Sequence, residues 1–186
     1  MTQPMIGRFP EIMPEQMSPE QQEAYTQMVQ GERGRLPTPY KMWLASPHLV
    51  KCLEPLGVHF RNSSLTLRET EMVILVTGQS YPSAFEVAAH SRLAREIGLE
   101  QAVIDAICAG RTPPLDDARE ALVYETARAL HDLPEIPDPL YDRAVATLGH
   151  QVIADMTMLI GYYVAAAHVL KFYRVPVPVP APKPAA

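Results

Sequence analysis

The 186-residue chain has only two cysteines, Cys52 and Cys108, far apart in sequence and outside any CxxC pair. Two lone thiols build neither a disulfide framework nor a zinc finger, and they fit a reducing, cytoplasmic setting. A long basic run is also missing, and the net charge is −5. Nothing therefore provides the cationic surface that nucleic acid demands, and no nucleic-acid partner is expected. The amino-terminal MTQPMIGRFPEIMPEQ lacks the basic start and apolar run of a signal peptide, so export is not expected. Short repeats are absent, and no stretch reads as a convincing β-hairpin. With 47% hydrophobic and 20% charged residues the chain has the composition of one globular domain, assigned to residues 1–175.

One apolar stretch, Val152 to Leu170, has the length of a membrane span. It carries Asp155 and His168, is rich in alanine, and stands alone. It reads as a buried helix at a subunit interface, with no membrane partner, because a helix apolar on all sides needs cover.

What is present is helix punctuation. Ser18-Pro-Glu-Gln21 and Thr66-Leu-Arg-Glu69 are capping boxes, and Asp117-Ala-Arg-Glu120 is a third cap. The spacing predicts helices from Ser18 to about Glu32, from Ser46-Pro47 with an interruption at Pro55, and from Thr66 through the apolar run Met72–Val76. Another is expected to run to Gly98 with Pro82 in its first turn, and a short one from Leu99 to Gly110. The last three run from Asp117 to about His131, from Asp138 to Gly149 and from about Gln151 to Tyr173. GERGRLPTPYK, residues 31–41, reads as a loop. The Pro-rich tail, residues 176–186, reads as polyproline II or irregular chain. The expectation is an all-α fold of seven or eight helices.

The chemistry concentrates in Glu86-Val-Ala-Ala-His90. On a helix, residues four apart are neighbours, about 5–6 Å at Cβ, so the carboxylate can orient the imidazole and raise its pKa. The flanking residues are Ala84, Phe85, Val87, Ala88 and Ala89, and charge in such surroundings must be satisfied or used. The bland alternative is a helix-stapling ion pair, which is weak when exposed. Glu71 sits just beyond the capping Glu69, and the sequence leaves it open between a functional group and the charged edge of a buried helix. Glu69 reads as cap chemistry and Arg68 as its solvated neighbour. Ser83 stands one turn before Glu86, either as a ligand hydroxyl or as an ordinary cap. Metal is not expected, because Glu86 and His90 make two ligands and the other histidines show no paired spacing. Cys52 and Cys108 fall in apolar stripes and read as small hydrophobes, as Trp43, Tyr162 and Tyr163 read as packing. Arg61, Arg68 and Arg92 are the arginines available to a carboxylate.

Leu65-Thr-Leu-Arg-Glu-Thr-Glu71, Phe85-Glu86-Val-Ala-Ala-His90, Ala94 and Gly98-Leu99 together resemble the carboxymuconolactone decarboxylase family of the alkylhydroperoxidase-D-like superfamily. Leu36-Pro-Thr-Pro, Ser46-Pro47-His-Leu and the late Gly161-Tyr-Tyr extend the resemblance along most of the chain. It implies an all-α homo-oligomer, a trimer or hexamer, with a site near subunit interfaces and no metal or organic cofactor. It raises Glu71 to a site residue beside Glu86 and His90. Aligned on His90, the thiols of the peroxidase branch fall at Ser83 and Glu86, so thiol peroxidase chemistry is disfavoured. Phe85-Glu86-Val87 replaces the Tyr-Glu-Trp frequent in the decarboxylase branch.

The resulting expectation is a cofactor-independent carbon–carbon lyase, resembling 4-carboxymuconolactone decarboxylase. Its small-molecule substrate would be an unsaturated lactone or carboxylate, with His90 as acid/base beside Glu86 and Glu71. The alternatives are an isomerase or elimination catalyst on another small carbonyl compound, and a non-catalytic oligomeric binder.

Overall fold

In the computed structural model, which describes residues 3–32 and 34–178, a small hairpin is followed by eight α-helices. Strands β1 (Met5–Ile6) and β2 (Phe9–Pro10) pair antiparallel, and a 3-10 turn covers Pro14–Gln16. The helices are α1 (Pro19–Gln30), α2 (Thr38–Trp43), α3 (Pro47–His59), α4 (Leu67–Ser80), α5 (Ala84–Glu96), α6 (Gln101–Cys108), α7 (Ala118–Asp132) and α8 (Asp138–Phe172). The all-α expectation holds. Of the Pro-rich tail, residues 176–178 are irregular and exposed, and residues 179–186 lie outside the described residues.

The centre of the molecule is α4. The Thr66 hydroxyl accepts from the Glu69 N–H at 3.1 Å and the Glu69 carboxylate accepts from the Thr66 N–H at 2.8 Å, the reciprocal cap read from the sequence. From Met72 to Gly78 every residue of α4 is buried. The helix is covered by α5, α6, α7 and α8, which explains why its apolar run shows no single stripe. At Gly78, α4 and α5 come close. A Cβ there would lie 3.1 Å from Val87 Cγ2 and 3.7 Å from Glu86 Cβ, so the small residue sets the depth at which Glu86 is held.

Four sequence expectations need correction. The amino-terminal hairpin exists, but each strand is two residues long and shows no alternation to read. It is held by docking: the Arg8 N–H donates to the Tyr173 carbonyl at 2.7 Å, and Phe9 packs with Met42 and Leu170. Gly7, at φ 59°, makes the turn, where a Cβ would run into the same carbonyl. Residues 38–41, placed in a loop, belong to α2, whose six residues are too short for periodicity and are fixed by burial of Tyr40 and Met42. Pro82 stands ahead of the N-cap Ser83, not in the first turn of α5. Cys52 is exposed rather than part of an apolar stripe, with its Sγ 3.7 Å from His48 Nε2.

The long α8 contains a break where the sequence places one, at Gly149 with φ 78° and ψ 164°. Its second arm buries Val152, Met156, Leu159, Tyr162, Ala166 and Leu170. Asp155 ties this arm to the turn before α4. It accepts from the Ser64 N–H at 2.9 Å and hydroxyl at 2.6 Å, and faces His59 Nε2 at 2.8 Å. The arm is not covered all round, however: Met158 is 52% and Phe172 73% exposed. Among the described residues α8 alone is long and apolar enough to cross a membrane.

Candidate active site

His90 on α5 is held between two carboxylates from two helices. Its Nδ1 lies 2.7 Å from Glu71 Oε2 on α4, and its Nε2 lies 3.3 Å from Glu86 Oε2 one turn back on α5. All three side chains are largely buried, at 12%, 14% and 6% exposure for His90, Glu71 and Glu86. Burial alone pulls the imidazole down. The hydrogen bonds to Glu71 and Glu86, and then their charges, outweigh it and push the pKa up to about 9. The resting ring is therefore an imidazolium at neutral pH. Tyr163, on α8, packs edge-to-face on the ring at 5.0 Å and 89°.

Ser83 is the N-cap of α5. Its hydroxyl accepts from the Glu86 N–H at 3.4 Å, so it places Glu86 through the backbone and does not line the cavity. Arg68, read from the sequence as solvated, binds Glu120 at 2.7 Å, Glu100 at 2.9 Å and the Gly98 carbonyl at 2.6 Å, away from the site. Among the described residues no group of three or more His, Cys, Asp and Glu side chains is arranged to hold a metal ion.

The trio forms part of the wall of a cavity of about 770 Å³. Helix α4 lends it Leu67, Thr70, Glu71 and Ile74, one stripe at helical spacing. Trp43 and Tyr40 come from α2, Phe60 from the end of α3, and Tyr162 and Tyr163 from α8. Three of these rings interlock: Trp43 meets Tyr162 at 6.1 Å, and Phe60 meets Tyr162 at 5.4 Å. The Tyr162 hydroxyl donates to Tyr40 at 2.7 Å, which donates to the Leu53 carbonyl at 3.1 Å. Arg61 and Arg92 line the same cavity, with Arg35 and Arg95. The buried Thr70 Oγ1, also on the wall, has no hydrogen-bond partner among the described residues. The sequence reading missed Tyr163, Trp43, Arg35 and Arg95 as site residues. Only the i, i+3, i+4 spacing of Leu159, Tyr162 and Tyr163 marks a shared helix face, and that spacing equally describes core.

A crystal structure of an uncharacterized peroxidase-related protein from Silicibacter sp. TM1040 shares this fold. The TM-score is 0.69 and the identity 18%, over 94% of each chain. The two share an all-α architecture. Within that class, residues 56–129 match the Carboxymuconolactone decarboxylase family, so the resemblance read from the motifs holds over the stretch that carries Glu71, Glu86 and His90. Among curated proteins no match is found.

Proposed function

We propose that the chain is a proton-transfer catalyst of the carboxymuconolactone decarboxylase type, acting on an unsaturated lactone or related carboxylate through Glu71, His90 and Glu86. The observation that carries this reading is an imidazolium gripped at both nitrogens inside a cavity wall. Decarboxylation breaks the bond to the carboxylate carbon. The electron pair moves into the conjugated carbonyl, carbon dioxide leaves, and the resulting enolate must take a proton at carbon. A ring that rests protonated supplies that proton without a prior step. The short Nδ1 contact to Glu71 holds the ring, and the longer Nε2 contact to Glu86 is the edge at which the proton is released and later regained from solvent. General acid catalysis of this kind contributes roughly 10²–10⁴-fold, and the cavity supplies positioning.

The test is carbon dioxide release from 4-carboxymuconolactone, with His90→Ala as control. Release that disappears in the folded variant supports the reading; release that survives it removes His90 from the chemistry. Deuterium entering substrate carbon without carbon dioxide loss would reassign the same relay to isomerisation.

The exposed Met158 and Phe172 on α8 support a homo-oligomer, trimeric or hexameric, joined through this face. Light scattering on the purified chain checks it, and a monomer at micromolar concentration contradicts it.

A further inference from the structure

The cavity is much larger than a single-ring lactone fills. Sites of about 300–1,000 Å³ enclose drug-sized ligands, and 770 Å³ lies high in that range. Its chemistry is also divided. The carboxylates among its lining residues are the two that grip His90, while the mouth carries the exposed Arg35, Arg61, Arg92 and Arg95. The acids beside two of these arginines stand beyond hydrogen-bond distance. Arg61 lies 3.9 Å from Glu32, Arg92 lies 3.7 Å from Glu96, and Arg95 donates to the neutral Gln101 at 3.4 Å. In a chain of net charge −5 this is a local cationic mouth.

We infer that the substrate is an acid larger than one ring, bound in a fixed orientation. Its aromatic or extended unsaturated body lies against Trp43, Phe60, Tyr162 and Tyr163, its non-reacting anion sits at the arginine mouth, and its reacting carbon faces His90. The acidic side chains of the wall, Glu71 and Glu86, stand at His90 and the arginines at the mouth, so the arginines fix where the non-reacting anion sits. The inference rests on the cavity being the substrate site proposed above and changes only the size and polarity of what enters it.

The test reads binding alone, so its outcome is separate from that of the carbon dioxide assay. Trp43 is the single tryptophan of the chain and lines the cavity, which makes it a built-in donor for energy transfer. The probes are 1-anilinonaphthalene-8-sulfonate and its uncharged analogue N-phenyl-1-naphthylamine, which share one aromatic body. Both should quench Trp43 at one probe per chain. Combined Arg35→Ala, Arg92→Ala and Arg95→Ala should weaken the sulfonate about tenfold and the uncharged probe less than about twofold, the scale of a few exposed ion pairs. If that variant does not fold, Arg92→Gln alone should show the same selectivity at about threefold. In competition, 2-naphthoate should displace the sulfonate at concentrations about tenfold below those of benzoate. Failure of Trp43 to respond, equal loss for both probes, or equal displacement by the two acids would overturn the inference.

Discussion

Two glutamates on α4 stand two residues apart and meet opposite fates. Glu69 is 1% exposed, caps the helix at Thr66, and receives the Arg119 guanidinium at 2.7 Å. Glu71 also has a cation at 2.7 Å, but that cation is an imidazolium. Distance does not separate the two pairs; the partner does. Arginine keeps its proton at every pH a protein meets, so Glu69–Arg119 can only hold structure. Histidine exchanges its proton near neutrality, and two carboxylates move that exchange to about 9, so Glu71–His90–Glu86 can hold structure and carry a proton. Arg68, clamped by Glu100 and Glu120, extends the first group, while Glu86 extends the second.

The sharpest break of this contrast is in turnover. With an active substrate in hand, Glu86→Gln and His90→Gln should each lower kcat by about 10²–10⁴-fold at unchanged fold. Glu69→Gln should leave kcat within about twofold, because Glu69 is not among the residues that line the cavity. Comparable losses at Glu69 and Glu86 would erase the distinction.

Next in size is pH. Protons bind His90 more tightly in the folded chain than in the unfolded one. That contribution to stability is therefore complete below about pH 6.5 and is lost as pH rises through about 9. Glu71 on α4, Glu86 on α5 and Tyr163 on α8 are the groups that face the ring. Chemical denaturation should show wild type losing stability on the order of 3 kcal/mol across this window relative to His90→Gln. Parallel curves for the two proteins would mean that the ring is not held as an imidazolium.

Smaller again is the structural pair. Glu69→Ala removes the reciprocal cap and strands Arg119, and should cost about 1–3 kcal/mol, several degrees in Tm, with the same slope against pH as wild type. The smallest effect is expected at Thr70, whose buried hydroxyl has no partner among the described residues. Thr70→Val keeps the shape and removes the polar atom, so Tm should rise by a degree or two, corresponding to about 0.5 kcal/mol. A fall in Tm would show that the hydroxyl is satisfied in solution.

How much of this was legible follows from sequence separation. Caps at Ser18, Thr66 and Asp117 span three residues and were readable, as was the break at Gly149. Glu86 and His90 lie one turn apart, so helix geometry alone brings them together. Glu71 lies nineteen residues from His90; the residues left its role open and only the family resemblance raised it to a site residue, because nothing local says that α4 and α5 pack with those faces together. Tyr163, Trp43, Arg35 and Arg95 had no local signal that marked them, whereas Arg61 and Arg92 were among the arginines read as available to a carboxylate. A tyrosine at helical spacing looks the same whether the surface it covers is core or cavity. The hairpin and α2 were missed for a related reason, since both are too short to be stable alone and take their shape from what they dock on.

The sequence by itself determined that the chain is helical, where most helices begin and end, and that one of them carries a carboxylate beside an imidazole. Those properties depend on backbone caps and the 3.6-residue turn, which operate within a few residues. Tertiary structure alone decided that Glu71 closes on the second nitrogen of that imidazole, that Glu69 does not, and that aromatic rings and arginines from four separate segments enclose one cavity. Packing sets those relations, and packing joins residues that the chain keeps far apart.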